Sequence, residues 1–350
     1  MTGNVVRISG NYVHCFVVGF PEPPPMILDT SLEPLAAGDY TVVFTASPDP
    51  PNGWPIGNNE SYWGTIGTTT KLTVSEIPPA PANYQGLWWN APPGSESGWG
   101  LNVAHQGDII VATWFTYDFY GKPWWLVMTA SKTDDTYDTY TGTLYQTNGP
   151  AFDATPFSPL GSPGGATGTA VGEATLIFTD SDNGVFYPSV YGFSNPKPIT
   201  RQVFGPLPTC AFGSAPNLAL ATNYQDLWWA APAGSEAGWG INLTHQGDTI
   251  FATWFTYDHD HAPMWLVVTA AKTGATYAGQ LYRPASGPPF IAVSFPPLGS
   301  PGGVTGGIVG SATFAFTDGN SGTFVYALDG VMQSKAITRE VFVAPGTVCH

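Results

Sequence analysis

One stretch of this chain is written twice. Residues 83–118, NYQGLWWNAPPGSESGWGLNVAHQGDIIVATWFTYD, match 223–258, NYQDLWWAAPAGSEAGWGINLTHQGDTIFATWFTYD, without a gap. The likeness continues through PWWLVMTASKT and PMWLVVTAAKT. It resumes after a short insertion in GPAFDATPFSPLGSPGG and GPPFIAVSFPPLGSPGG, and ends in KPITRQVF and KAITREVF. A repeat of about 120 residues is the size of a domain, not of a solenoid unit, so the chain carries one domain twice. The copies span 83–206 and 223–344, with Pro/Ala-rich, weakly charged linkers before and between them. Residues 1–78 form a separate segment.

Within each copy one strand pattern follows another. YQGLWWN, the hairpin GWGLNVAHQGDIIVATWFTYD with Gln106-Gly107 at its turn, PWWLVMTA, YTGTLYQT, AFDATPF, GEATLIFTD, GVFYPSVYG and KPITRQVF make about eight. No segment has a helical period. The 42 Gly and 34 Pro fit a chain of many turns, and 13 Trp, 16 Tyr and 20 Phe supply apolar area for cores. The fold class is therefore all-β. Each copy is expected to be an antiparallel up-and-down β-barrel, with a two-sheet sandwich as the alternative. Residues 1–78, with LAAGDYTVVFTA as a late strand, read as a small immunoglobulin-like sandwich.

The net charge of −15 argues against nucleic acid, which needs a basic footprint, and against docking on an anionic bilayer. No apolar run approaches the roughly 20 residues of a membrane helix, so no membrane insertion is expected. The opening MTGNVVRISG has no apolar signal core. Low Lys content with abundant Trp and Gly still favours an exported protein, extracellular or at the cell surface. Cys210 and Cys349 follow the two copies at matching places, as a structural disulfide or as buried thiols, and Cys15 is odd.

Period-2 alternation sorts the matched residues onto faces. Trp99, Leu101, Val103 and His105 share one face, and Gly100, Asn102 and Ala104 the other. Trp114, Thr116 and Asp118 oppose Phe115 and Tyr117. Both faces are partly aromatic, so one fills the barrel and the other is covered or binds something. Trp88, Trp89, Trp99, Trp114 and Trp125 all have twins, as do Lys132, Lys197 and Arg201. Turn chemistry does not require Glu96 in its Pro/Gly loop, and a pair with Arg201 across the barrel closure is one way to hold it. The expected ligand-binding set is Glu96, Trp99, Asn102, His105, Trp114, Thr116, Asp118 and Trp125. Its twins are Glu236, Trp239, Asn242, His245, Trp254, Thr256, Asp258 and Trp265.

Catalysis is the weaker reading. His105 could serve as a base beside Ser95 or Thr116 with Asp118 orienting it, but no Gly-x-Ser-x-Gly elbow exists. Glu96 with Asp118 could form a hydrolytic carboxylate pair. No cofactor or metal is expected. DHDH at 258–261 has DFYG as its counterpart, the Cys spacings are not those of zinc sites, and DSDNG lacks the distal Glu of a calcium loop.

Gly86-Leu87-Trp88 and Arg201 resemble the calycin barrels of lipocalins and avidins. That resemblance implies an early Trp packed against a basic residue of the last strand. The second copy has Asp226 in place of the Gly. The motifs ESGWG, HQGD, ATWFTYD, PWWLV and ITRQVF resemble repeats of exported bacterial proteins of unknown function. The leading expectation is a non-catalytic binding protein with two similar aromatic-lined sites for a small amphipathic ligand or a glycan, engaged bivalently. A self-associating surface-assembly protein is the first alternative, and a hydrolase using Glu/Asp or His the second.

Overall fold

The computed structural model describes residues 4–10, 38–46, 69–74, 83–134, 138–211, 217–343 and 347–350. The chain divides into two compact units, Met1–Pro81 and Ala82–His350. In the first, strands β1 (Asn4–Gly10), β2 (Gly38–Ala46) and β3 (Thr69–Val74) form one sheet. β1 runs parallel to β2, and β3 runs antiparallel to it. The rest of the immunoglobulin-like expectation, and Cys15, lie outside the described residues.

The second unit holds two closed antiparallel barrels, so the sandwich alternative falls. Barrel 1 contains β4 (Gly86–Asn90), β5 (Gly100–Gln106), β6 (Ile109–Tyr117), β7 (Pro123–Asp134), β8 (Asp138–Asn148), β9 (Thr167–Phe178), β10 (Asn183–Val190), β11 (Phe193–Ser194) and β12 (Lys197–Arg201). Each strand pairs with the next, β12 pairs back to β4, and β11 is a stub on β10. After β13 (Cys210–Ala211) and a single 3-10 turn at Leu218–Leu220, barrel 2 repeats the order. Its strands are β14 (Asp226–Ala230), β15 (Gly240–Gln246), β16 (Thr249–Tyr257), β17 (Pro263–Thr273), β18 (Thr276–Ser286), β19 (Thr305–Asp318), β20 (Ser321–Leu328) and β21 (Val331–Arg339). The two-residue β22 (Val348–Cys349) follows. β21 is unbroken where barrel 1 has β11 and β12, because Ser334 replaces Pro196, which has no N–H to give a ladder.

Two expectations need correction. Gln106 is the last ladder residue of β5, paired with Ile109, and the turn is Gly107-Asp108 with Gly107 at φ 58°. AFDATPF is not a strand but part of a long connection between β8 and β9.

Register places Leu101, Val103, His105, Ile110, Ala112, Trp114, Leu126 and Met128 on the inner face of barrel 1. With Trp88, Tyr140, Leu176, Phe186 and Ile199 they are buried, and side chains fill an eight-stranded barrel of this kind. The outer face of β5–β7 is buried as well, because it packs on β15–β17 of barrel 2. Phe115 meets Phe255 at 6.5 Å and Trp265 at 5.0 Å between ring centres, while Trp125 meets Phe255 at 5.4 Å and Tyr257 at 5.8 Å. The indoles exchange hydrogen bonds. Trp125 Nε1 donates to Thr256 O at 3.2 Å, and Trp265 Nε1 to Thr116 O at 3.3 Å. The two copies thus pair about a pseudo-twofold axis, burying face on face as sheets do.

Two further exchanges lock the pair. The β8–β9 connection of barrel 1 (149–166) crosses to barrel 2, where Phe152 N donates to Tyr257 O and the ring packs edge-on against Trp254 at 6.2 Å. The β18–β19 connection (287–304) returns the contact. Phe290 N donates to Tyr117 O, and the ring packs against Trp114 at 5.9 Å. Each strap therefore covers the mouth of the other barrel. At the opposite end, the tail after β12 lies on barrel 2 and the tail after β21 on barrel 1. Cys210 and Cys349 join the tails in a disulfide.

Candidate functional site

Glu96 is buried, and its partner is not Arg201. Lys197 Nζ donates to its two oxygens at 2.8 and 3.2 Å, and Trp99 Nε1 donates at 2.7 Å. Lys197 also donates to strap carbonyls Ala292 O and Val293 O. Glu96, Trp99 and Lys197 therefore form a seat for the strap of the other copy. Glu236, Trp239 and Lys335 repeat the triad, with indole and ammonium contacts of 2.8–3.0 Å. Lys197 opens the strand that Arg201, the expected partner, closes four residues later. The β4–β12 register instead puts Arg201 opposite Trp88. There its guanidinium lies 4.9 Å over the indole and donates to Asn83 O, Gln85 O and Ser181 O, with Asp182 Oδ1 at 2.9 Å. In barrel 2 Arg339 lies 5.0 Å over Trp228 and pairs with Asp226 at 3.0 Å.

His105 and His245 are buried among aromatics, and His245 borders a cleft of about 290 Å³ with Lys272, Tyr277 and His350. His105 Nδ1 accepts the Tyr84 backbone N–H at 3.2 Å, and its Nε2 is 3.1 Å from Tyr140 Oη. His245 repeats both contacts with Tyr224 and Tyr277 at 3.1 Å. With Nδ1 accepting, the neutral ring carries its proton on Nε2. Burial lowers the pKa of His105 to about 3 and that of His245 to about 4. Both rings are neutral over the physiological range and brace the segment that leads into the first strand of each barrel. The nucleophile candidates are engaged elsewhere or enclosed. Ser95 Oγ accepts from Asn90 Nδ2 at 2.9 Å, and Thr116 Oγ1 is buried with no hydrogen-bond partner among the described residues.

The remaining expected site residues divide among core, interface and turn. Trp114 and Trp254 are inside their barrels under Phe290 and Phe152, each with Nε1 buried and without a hydrogen bond among the described residues. Trp125, Trp265, Asn102 and Asn242 lie between the barrels. Asn242 Nδ2 donates to Thr113 Oγ1 at 3.3 Å, whereas the buried Asn102 amide makes no hydrogen bond among the described residues. Thr256 is buried and lends its carbonyl to Trp125. Asp118 Oδ1 accepts the N–H groups of Tyr120 and Lys122, and Asp258 Oδ1 those of Asp260 and Ala262. Those two are turn residues. The structure thus gathers Glu96 with Trp99, and Trp114 with the strap, but does not bring Glu96, Asn102 and His105 together in one cavity.

DHDH has a local explanation. His261 Nδ1 bonds Gly149 O and His259 bonds Asp153, both on the arriving strap. Among the described residues no group of three or more His, Cys, Asp or Glu is placed to hold a metal ion.

Two features escaped sequence reading. Gln106 Oε1 accepts the N–H groups of Phe342 and Val343, while its Nε2 donates to Glu340 O. Gln246 does the same for Phe204, Gly205 and Gln202. The Gln of HQGD is therefore a clamp on the other copy's tail, and its repetition beside a Gly-Asp turn that does not need it was the available signal. The second feature is a cluster of exposed aromatics at one end of barrel 1: Phe119, Tyr120, Tyr191 and Phe193. It borders a cleft of about 370 Å³ lined by Asp118, Lys122, Trp124, Gln146 and Asn148, with Ala262 and Pro263 from barrel 2. Comparison of the chain with family models, curated proteins and solved structures found no match.

Proposed function

We propose that this is an exported, non-catalytic binding protein for a small amphipathic ligand or a glycan. In this reading the paired barrels are a rigid scaffold that carries ligand on its surface. One observation carries it. The repeated acids and bases are consumed by folding, as Glu96 by Lys197 and Trp99 and His105 by Tyr84 and Tyr140, while an aromatic cluster beside a cleft is left to solvent. Monomeric proteins seldom expose contiguous apolar surface without a use for it. The Cys210–Cys349 disulfide supports an oxidising compartment. Lipocalin-like binding inside the barrel is disfavoured, because each interior is filled by side chains and one mouth of each barrel is covered by the other copy's strap.

Calorimetry of the full chain against oligosaccharides and alkyl glycosides tests this, with the ligands analysed by mass spectrometry afterwards. The expected result is reversible heat of binding with ligand recovered intact. Turnover of a bound compound, lost on Glu96→Gln or His105→Gln, would overturn the non-catalytic reading.

A further inference from the structure

The two ends of the barrel pair ought to be twins, and they are not. The turn between β6 and β7 reads Asp118-Phe119-Tyr120-Gly121, and its copy reads Asp258-His259-Asp260-His261. The turn after β10 reads Tyr191-Gly192-Phe193, and its copy after β20 reads Asp329-Gly330-Val331. Gln146 on β8 has Arg283 as its counterpart, and in barrel 2 that Arg forms an ion pair with Asp329. Folding alone is content with the charged version: Asp-Gly suits a turn whose first residue has positive φ, and the ion pair covers it. Barrel 1 nevertheless puts Tyr191 at φ 50°, where a bulky side chain is disfavoured, and exposes more than half of its surface. A disfavoured backbone state holding an exposed aromatic points from strain towards use.

The rings are also pre-positioned. Phe119 packs against Phe290 of the strap at 4.9 Å, Phe193 at 5.3 Å and Tyr191 at 6.3 Å. Tyr120, 90% exposed, stands at the tip of the turn, whose backbone is pinned by Asp118. The adjoining cleft offers flat amide groups, Gln146 and Asn148, and one charge of each sign, Asp118 and Lys122. We infer that this end of barrel 1 is a single glycan-binding site that takes a neutral oligosaccharide, stacking sugar C–H faces on Tyr120 and Tyr191 and hydroxyls on the amides. This deepens the binding reading above and rests on it. A cleft of this size is at the small end of ligand sites and fits about two sugar rings. The exposed apolar surface is planar and aromatic, which favours a sugar over an acyl chain. The balanced charges favour a neutral sugar over an acidic one. The charged twin end has no such platform, so the chain binds once, not twice.

Titration of the full chain with neutral di- to hexasaccharides of glucose, mannose, xylose and N-acetylglucosamine tests the inference, by calorimetry and by intrinsic tryptophan fluorescence. The expected result is one site per chain, with affinity reduced at least tenfold by Tyr120→Ala and by Tyr191→Asp. His259→Ala, at the twin end, leaves affinity unchanged. Tyr191→Asp installs the residue barrel 2 already uses, so loss of binding without loss of fold is readable. Two sites per chain, or affinity indifferent to both Tyr variants, overturns the inference. No sugar binding but alkyl-chain binding sensitive to the same variants overturns the glycan and leaves the binding reading. Failure of both ligand classes, with oligomers that Tyr120→Ala dissolves, overturns both in favour of contact between copies.

Discussion

Barrel 1 and barrel 2 solve the same closure problem with their carboxylates in different places. Both set an Arg of the last strand over the first Trp, at 4.9 and 5.0 Å. Arg201 takes its carboxylate from Asp182, a half-exposed residue of the β9–β10 turn, and has Gly86 at its back. Arg339 takes its carboxylate from Asp226, the counterpart of Gly86, and has Asn320 where Asp182 would be. One position gained a carboxylate where the other holds none, and neither Arg is left alone. A charge at this closure can move but not vanish, because the guanidinium is buried in both barrels and an unpaired buried charge is costly.

The largest expected effect breaks that pair. Asp226→Asn leaves Arg339, 2% exposed, without its counter-charge, and should lower unfolding free energy in urea by about 3–5 kcal/mol. Asp182→Asn removes a partner half in water and should cost under about 1 kcal/mol. Equal losses would mean that Asp226 is held by Leu227 N and not by the ion pair. Burial pushes the Asp226 carboxyl up while Arg339 opposes it.

The straps come next. Phe152→Ala and Phe290→Ala each empty a buried ring from the other copy's mouth and should cost about 3 kcal/mol. Hydrogen exchange should report the loss in the barrel being covered, β16 for Phe152 and β6 for Phe290. Exchange confined to the strap's own barrel would show that the straps do not couple the pair. The variants should also differ, since Phe290 holds Phe119 in the aromatic cluster and Phe152 meets His259 instead.

The division between what was readable and what was not follows from the range of the interactions. Strand alternation and turn residues are local, so eight strands per copy and the inner face Leu101-Val103-His105 could be read directly. Partners across the barrel or across the pseudo-twofold could not. Glu96 was seen as something a turn does not need, yet nothing local distinguished Lys197 from Arg201 as its partner. Only the β4–β12 register does that. The second aromatic face, Phe115 and Trp125, was recognised as needing a cover, and the cover proved to be the other copy. Matched spacing between copies marks residues that folding uses twice, so it led to scaffold. The aromatic end of barrel 1 is found by the opposite signal, the places where the copies disagree.

Glu340 and Gln202 disagree in a way that pH can read. Both follow the last strand and give their carbonyl to a Gln clamp. Burial, with Asp226 nearby, raises the Glu340 pKa from 4.5 to about 7. A raised carboxyl holds its proton in the folded chain, so its stabilisation is full below about pH 4.5 and is lost as pH rises through about 7. Glu340→Gln should therefore stabilise the chain at pH 8 by about 1–3 kcal/mol and do nothing at pH 4. Gln202→Glu should do the reverse. The two His work in the opposite sense: their contribution is complete above pH 6.5 and lost towards pH 4 and 3, with His245 titrating before His105. Thermal scans across pH 4–8 separate the two, because Glu340→Gln flattens only the upper limb.

The smallest effect concerns Tyr191. Its φ of 50° suits Asn or Asp, as at Asp329, and costs a Tyr about 1 kcal/mol. Tyr191→Asn relieves that cost without adding charge and gives up the exposed ring's contact with Phe119 and a long hydrogen bond from its hydroxyl to Gln146 Oε1 at 3.5 Å. The net gain should be about 0.5 kcal/mol, seen as a small rise in the urea midpoint at unchanged slope. A loss instead would mean that Tyr191 is kept for packing, and the strained turn would no longer point to a ligand. A gain coupled to loss of oligosaccharide binding would show the turn trading stability for recognition at one end of the pair, where its twin, Asp329 with Arg283, does not.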